Sequence, residues 1–200
     1  MRFTYAPIVD RHARDAVFER MQAQGLTACA MSSIASPTLA QWQKITAPQQ
    51  GVLLGCYGQP HVDDAFGPAH EPAHNMPHDQ GHNLAHNPAS LLACAMFSPR
   101  RGRVWEFDFT TFRQWARQAV PMAHGGLRWA FANLDCSAVA GLCPAPNRHA
   151  WRLAEACGFR VLGRLPHACL HARKQAWVDG VLVLCTPQDL FNAQQAYFIQ

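Results

Sequence analysis

Residues 147–159 read NRHAWRLAEACGF, and this stretch decides the fold. The run from Asn147 to Cys157 predicts a helix, and Asn147 is able to cap its first turn. Gly158 then stands where a left-handed backbone most often ends a helix. Strands are predicted on both sides of the helix, at 137–142, 160–165 and 177–185. This order of elements predicts a helical crossover between strands, as in α/β folds.

The segment before this stretch predicts a strand followed by a long helix. The run RVWEFDF at 103–109 alternates and ends in aromatic residues, which is typical of a strand. Apolar side chains then recur at helical spacing from Thr111 to Leu134, so we expect one helix there. Pro121 should bend this helix, and the neighbouring Gly125 and Gly126 should weaken it.

The first half of the chain predicts two helices and two strands. An amphipathic helix is expected at 10–24, and a short second helix at about 37–44. The apolar runs GVLLGCY at 51–57 and SLLACAMF at 90–97 should pair as an antiparallel hairpin. The predicted fold class is α/β, with the hairpin in the first half and the crossover in the second.

A histidine-rich segment separates the two strands of that hairpin. Residues 58–89 are rich in Pro, Gly, Asn and His, and a histidine recurs every four residues from His70 to His86. On a helix this spacing would line imidazoles along one face, as a metal array requires. Pro72 and Pro77 interrupt such a helix. We therefore interpret the segment as a long loop insertion and predict no metal ligands.

Length and composition favour one domain spanning residues 1–200, with a C-terminal tail at 187–200. A hydrophobic content of 49% and a charged content of 15% argue against disorder. No apolar run approaches the roughly 20 residues of a membrane-spanning helix, and residues 1–21 turn polar too soon for a signal peptide. We expect a cytoplasmic protein whose 8 cysteines are reduced, because most of them lie inside apolar runs, where a free cysteine behaves as a small buried hydrophobe.

The basic residues are almost all arginine. Of the 17 Lys and Arg residues only Lys44 and Lys174 are lysine, and the formal net charge is +4. Arginine suits phosphate contacts, which leaves a phosphate-bearing ligand open, but an arginine-rich genome composition would give the same count. The sequence carries no nucleic-acid-binding motif, so nucleic acid is not an expected partner.

The pattern around Asn147 resembles the GNAT superfamily of N-acetyltransferases. The matching positions are Asn147-x-x-Ala150-x-x-Leu153-x-Glu155-x-x-Gly158-Phe159, followed by a strand and then by Trp177-Val178-Asp179-Gly180-Val181. The run from Trp129 to Asn147 is also similar to GNAT-related proteins encoded by phages and prophages. The resemblance covers residues 90–186, and the first 57 residues match by element order only. It implies a mixed, mostly antiparallel central sheet flanked by helices, with the histidine-rich insertion in the first hairpin.

The resemblance implies acetyl-CoA as the acyl donor. In this fold the donor lies along the strand that here contains Phe107, Asp108 and Phe109, and beside the residue that here is Asn147.

The family binds the donor's pyrophosphate with Q/R-x-x-G-x-G/A at the start of the next helix. The nearest match here supplies four residues, Arg113, Ala116, Arg117 and Gln118. Ala116 replaces a glycine that lets the backbone approach the ligand closely. Arg113 and Arg117 could compensate by charge, or both could be ordinary solvated arginines of the helix.

Catalysis needs a base for the amine and a proton for the leaving thiolate. Glu106 and Asp108 alternate on one strand and so share a face, which makes them the candidate catalytic residues. Alternatively, these carboxylates form ion pairs with one of three nearby arginines, namely Arg101, Arg103 or Arg113.

The family's frequent general acid is a tyrosine, and this chain has Ala154 at that position. Water or a thiol such as that of Cys143 would have to replace it. His124 and His149 lie on predicted helices, where we expect surface or capping roles.

Three functions remain open at this point. The first is transfer of an acetyl group from acetyl-CoA to an amine on a small molecule or a protein. The second is a catalytically degenerate binding or assembly protein of the same fold, of phage or prophage origin. The third is metal or nucleic-acid binding through the histidine-rich segment. A homodimer is compatible with each of these functions.

Overall fold

The structure, a computed structural model, describes residues 2–31, 34, 36–59, 90–171 and 174–199. Seven strands form one sheet: β1 (Arg2–Pro7), β2 (Val52–Gln59), β3 (Leu91–Pro99), β4 (Val104–Thr111), β5 (Ala138–Pro144), β6 (Arg160–His171) and β7 (Ala176–Cys185). Their spatial order is β1-β2-β3-β4-β5-β7-β6, and every neighbouring pair is antiparallel except β4 with β5. The mixed, mostly antiparallel sheet is therefore confirmed. From residue 60 onward, the histidine-rich insertion predicted at 58–89 lies outside the described residues.

Helices cover both faces of the sheet: α1 (Arg11–Ala23), α2 (Thr27–Ala30), α3 (Leu39–Ile45), α4 (Ala119–Asn133), α5 (Arg148–Ala156) and α6 (Pro187–Ile199). On one face, Met96 of β3 packs in a core cluster with residues of α1 and α3. On the other face, the next residue, Phe97, packs in a cluster with residues of α4 and α6. Strand alternation thus divides the interior into two cores.

Local capping explains where the first helices begin. The Asp10 carboxylate accepts a hydrogen bond from the Ala13 backbone N–H at 2.8 Å. Thr38 and Gln41 form a capping box at the start of α3. The indole of Trp42 then donates to the Arg14 carbonyl at 2.8 Å, which ties α3 to α1.

Two sequence predictions about elements were wrong. The edge strand β1 was not predicted, because its pairing with β2 depends on a contact distant in sequence. The single helix predicted from Thr111 to Leu134 is instead the end of β4, a 3₁₀ segment at Arg113–Gln118 and then α4. Pro121 does not bend a helix interior, because it lies in the first turn of α4, where no backbone donor is needed.

The end of α5 follows the sequence prediction closely. Gly158 has φ +97, and the Phe159 N–H donates to the Ala154 carbonyl at 3.0 Å. A Cβ at Gly158 would lie 2.9 Å from that of Ala193 in α6. The segment expected as a tail at 187–200 is thus a helix that packs closely on the end of α5, with Leu190 buried.

Two further features are absent from the part of the chain that the structure describes. None of its helices has the length and apolar character needed to span a membrane. No group of three or more His, Cys, Asp or Glu side chains in it could hold a metal ion. Seven cysteines are free thiols: Cys56, Cys94, Cys136, Cys143, Cys157, Cys169 and Cys185.

Candidate active site

The sheet splits between β4 and β5. These parallel strands pair only at Val104↔Ala138, Trp105↔Val139 and Glu106↔Ala140. Beyond Glu106, β4 continues along β3, whereas β5 continues along β7. The facing edges of the two strands therefore carry backbone groups that no ladder between them satisfies, which leaves a gap open to an extended ligand.

A cavity of about 110 Å³ fills this gap on the side of α4 and α5, and we call it the wedge. Its β4 wall includes Phe107 and Phe109, whose rings stack 5.7 Å apart. Phe107 also lies 5.0 Å from the Phe97 ring and 5.8 Å from the Phe159 ring. This aromatic cluster gives the wedge a rigid, apolar floor.

Helix α5 forms the opposite wall of the wedge. Asn147, Ala150, Leu153 and Ala154 line it from the helix start onward. The prediction that the Asn147 side chain caps α5 was wrong, since it makes no capping hydrogen bond. Its backbone N–H instead donates to the Pro144 carbonyl at 2.8 Å in a turn, so the side chain stays at the exposed mouth of the wedge.

A second cavity of about 250 Å³ lies on the other face of the sheet, and we call it the pocket. Glu106 and Asp108 line it from β4. Their cross-strand partners Ser98 and Met96 line it from β3. Further apolar walls come from the α2–α3 region, β5, β6 and β7, and include Met31, Ile34, Ile45, Leu142, Leu170 and Trp177.

Asp108 and Leu142 border both cavities. They stand on the two strands that diverge, so the split connects the wedge to the pocket. Among the titratable residues that line these cavities in the described part of the chain, Asp108 alone borders both.

The charge environment of Asp108 differs from that of Glu106. Arg100 forms an ion pair with Glu106. Desolvation in the cleft raises the pKa of Asp108 to about 6, although the nearby Arg100 charge lowers it. As a whole residue, Asp108 remains exposed at the cleft, so a ligand in either cavity can reach it.

The arginine partner of the carboxylates differs from the three candidates in the sequence. It is Arg100, in the β3–β4 turn, whereas Arg103 pairs with Asp135 at 2.7 Å. The turn sequence gave no signal for choosing among its arginines, since the choice depends on the strand register that sets Ser98 opposite Glu106.

The predicted pyrophosphate residues lie beside the start of α4 and do not line the wedge. Arg113 is anchored to the end of α1, because its Nε donates to the Gln24 carbonyl at 2.7 Å. Ala116, Arg117 and Gln118 are exposed. No side chain caps the first turn of α4. The Ala119 N–H there donates to the Ala116 carbonyl of the preceding 3₁₀ segment, and Pro121 has no N–H.

Two further residues near the wedge bear on proton transfer. Cys143 lines the wedge, and burial together with the negative charge of Asp108 raises the pKa of its thiol to about 11. Ala154 also lines the wedge and offers no proton. Cys143 is therefore a neutral thiol at neutral pH.

His124 is not the surface residue that the sequence suggested. It is 5% exposed on α4, and its ring meets that of Tyr197 edge-on at 6.0 Å. Burial lowers the pKa of this imidazole. Helix α6 covers it, which the sequence of α4 alone does not reveal. His149 is exposed on α5, as expected.

This architecture was compared with known protein families, curated proteins and solved structures. No protein-family model matches the chain, and no curated protein matches it. Among solved structures, spermidine N-acetyltransferase from Vibrio cholerae, in complex with CoA and spermine, superposes with a TM-score of 0.64 at 12% identity, over 94% of this chain and 98% of that one.

Two other solved structures agree. Ribosomal-protein-S5-alanine acetyltransferase from Vibrio fischeri has a TM-score of 0.60 at 10% identity, over 95% of this chain and 96% of that one. A GCN5-related N-acetyltransferase from Kribbella flavida has a TM-score of 0.57 at 17% identity, over 92% and 96%. The split, mostly antiparallel sheet with its flanking helices therefore has the GNAT fold.

Proposed function

We propose that this protein transfers an acetyl group from acetyl-CoA to an amine acceptor. The observation that carries this proposal is the position of Asp108 at the split, where it borders both the wedge and the pocket. Acyl transfer needs two reactants that approach each other closely and a base at the point where they meet. The wedge would hold the donor and the pocket the acceptor.

The residues around the wedge fit the donor. The unpaired edges of β4 and β5 can hydrogen-bond an extended amide-containing arm as if it were a further strand. The aromatic floor suits the methylene groups of that arm, and Asn147 stands at the mouth with its amide free of a capping role. The split therefore supports the predicted donor contacts at Phe107, Asp108, Phe109 and Asn147.

The start of α4 fits a pyrophosphate. The positive dipole end of this helix attracts an anion. Arg117 and Gln118 are exposed beside it, with Ala116 on the same turn. Arg113 would contribute through its terminal nitrogens, since its Nε is already bonded to Gln24.

Acetyl-CoA supplies a thioester whose carbonyl carbon accepts the amine nitrogen. A C–N bond forms and the C–S bond breaks, while the nitrogen loses a proton and the sulfur gains one. Asp108 accepts the proton from the amine on the pocket side. Its pKa of about 6 lies below the roughly 8.5 of an ordinary thiol, so the protonated carboxyl can return the proton to sulfur on the wedge side.

This use of Asp108 removes the need for the tyrosine that Ala154 replaces. Cys143 also lines the wedge, but its pKa of about 11 lies above that of an ordinary thiol, so Asp108 is the better proton donor. Glu106 borders only the pocket and is already paired with Arg100, so Asp108 and not Glu106 would act as the base.

A second candidate is a protein of the same fold that binds partners without catalysis. Ala154 and Ala116 favour it, because each lacks the group that the family commonly uses at that position. The placement of a perturbed carboxyl at the split favours the enzyme. The two functions differ in whether acetyl-CoA binds and turns over.

The test has two measurements. Thermal unfolding with acetyl-CoA at about 100 times its dissociation constant should show stabilisation of roughly 2.7 kcal/mol. Release of free thiol from acetyl-CoA, measured with an amine mixture, should fall about 10²–10⁴-fold in Asp108→Asn. Asp135→Asn, an exposed carboxylate paired with Arg103, is the matched control and should behave as wild type. A folded protein that acetyl-CoA does not stabilise would contradict the proposal.

A further inference from the structure

The pocket has a definite charge composition. Its described lining contains one cation, Arg100, and two carboxylates, those of Glu106 and Asp108. Arg100 is paired with Glu106, so the pair is neutral and Asp108 carries the remaining charge. With Asp108 ionised, the described lining has a net charge of −1, which matches a ligand with one positive charge.

The polar groups occupy one end of the pocket. Ser98, Glu106 and Asp108 lie on neighbouring strands, in register at Ser98↔Glu106 and Met96↔Asp108. The remaining walls are almost entirely apolar, and Trp177 stands at the rim, 62% exposed. The pocket therefore offers a cation site at one end and an apolar space behind it.

The size of the pocket limits the acceptor. Its volume of about 250 Å³ lies below the roughly 300–1,000 Å³ of sites for drug-sized ligands. A short alkyl or arylalkyl body fits such a space, with the Trp177 ring available to cover it.

We infer that the acceptor is a small apolar monoamine, one ammonium group on an uncharged alkyl or arylalkyl body; this inference rests on the proposed acetyl transfer. A second ammonium group on the acceptor would have to lie among apolar walls without a carboxylate partner, at a high desolvation cost. A carboxylate beside the amine would meet Glu106 and Asp108, because Arg100 is already engaged. Diamines and free amino acids are therefore poor acceptors.

The experiment compares amines that differ by one charge. Pentylamine, 1,5-diaminopentane, norleucine and a short peptide are assayed with saturating acetyl-CoA, and kcat/KM is measured for each. We expect pentylamine to exceed the diamine and the amino acid by roughly tenfold or more. Preference for the diamine, the amino acid or the peptide would overturn the inference.

Two variants test the charge count directly. Arg100→Gln changes the net charge of the described pocket lining from −1 to −2. The preference for pentylamine over 1,5-diaminopentane, measured as the ratio of kcat/KM values, should then fall about tenfold. Arg101→Gln removes the adjacent exposed arginine, which does not line the pocket, and should leave the ratio unchanged. An equal change in both variants would show a general effect of surface charge and overturn the inference.

Failure of the inference differs from failure of the proposed function. Stabilisation by acetyl-CoA is measured without any acceptor, so it reports on the wedge alone. A protein that acetyl-CoA stabilises but that acetylates none of the four amines would overturn the monoamine inference and leave the donor site in place. The same stabilisation in Arg100→Gln shows that the variant is folded.

Discussion

The two faces of the sheet differ in the side chains that line their cavities. The face under α4, α5 and α6 is aromatic and closely packed, and the wedge is a narrow opening within that core. The face under α1–α3 has the pocket, with an ion pair and a perturbed carboxyl at one end. Under the proposed function, donor binding would therefore depend on shape and acceptor choice on a few charges. Each prediction below tests this contrast.

Two adjacent residues of β3 give the largest expected contrast. Phe97 is fully buried beneath the wedge, whereas Met96 faces the pocket. Phe97→Ala should lower the free energy of unfolding by about 3–5 kcal/mol, because it leaves a closed cavity. Met96→Ala should cost about 1.5–3 kcal/mol, since it only enlarges a space that is already open. Urea unfolding measures both values, and equal losses would break the contrast.

Two adjacent glycines of α4 test how tightly the wedge face is packed. A Cβ at Gly125 would lie 2.0 Å from the Tyr5 hydroxyl oxygen, which donates to the Met122 carbonyl at 3.0 Å. Gly125→Ala should therefore lower the free energy of unfolding by about 1–3 kcal/mol.

The control for that substitution is its neighbour. A Cβ at Gly126 would meet only Leu54, at an ordinary 3.9 Å. Gly126→Ala should raise the free energy of unfolding by about 0.5–1 kcal/mol through helix propensity. Thermal unfolding of the two variants measures both effects. If both substitutions stabilised the protein, the Tyr5 side chain would have to move away from residue 125 at little cost.

The two faces should respond to pH with opposite sign. Burial lowers the pKa of His124, so the unfolded chain binds its proton first and stability is lost as the pH falls below about 6.5. The pKa of Asp108 is raised to about 6 from 3.8, so the folded protein binds that proton first and stability is lost as the pH rises from about 4 to 6.

Single variants separate these opposing effects. Asp108→Asn should make the loss of stability below pH 6.5 steeper, and His124→Gln should make stability increase as the pH falls from 6 to 4. Urea midpoints from pH 4 to 8 provide the measurement. In the wild type, kcat/KM for an amine should rise with pH through about 6, because Asp108 must be ionised. Identical stability slopes in both variants would contradict the assignment.

The last prediction concerns Arg113, whose side chain links the 3₁₀ segment before α4 to the end of α1. Arg113→Ala removes the hydrogen bond to the Gln24 carbonyl and should cost about 1 kcal/mol. Arg117→Ala, on the same exposed turn, should leave stability unchanged. Both should weaken stabilisation by acetyl-CoA. If Arg113→Ala changed only stability, the residue would be structural alone.

The sequence predicted best what is decided locally. The helix end at Gly158 and the alternation of Glu106 with Asp108 each depend on residues within a few positions, and the structure contains both. The two-strand hairpin of β2 and β3 was predicted for the same reason.

Contacts distant in sequence explain what the sequence did not predict. Strand β1 forms by pairing with β2, which is distant in sequence. Strand β4 extends to Thr111 because Thr111 pairs with Ala93 of β3. Arg100 meets Glu106 through the register of a hairpin, and His124 is buried by a helix more than sixty residues later. The pocket combines residues from distant parts of the chain, so no single stretch could reveal it.

The split also affects how the molecule holds together. Strands β1–β4 form one antiparallel unit and β5–β7 another, and within the sheet only three residue pairs join them. We expect the strand amides on either side to exchange with solvent through separate local openings. A ligand that fills the gap would replace the missing ladder and join the two units mechanically. Hydrogen exchange of the β4 and β5 amides should then slow together. The bound molecule would act as an additional strand between β4 and β5, at the centre of the sheet.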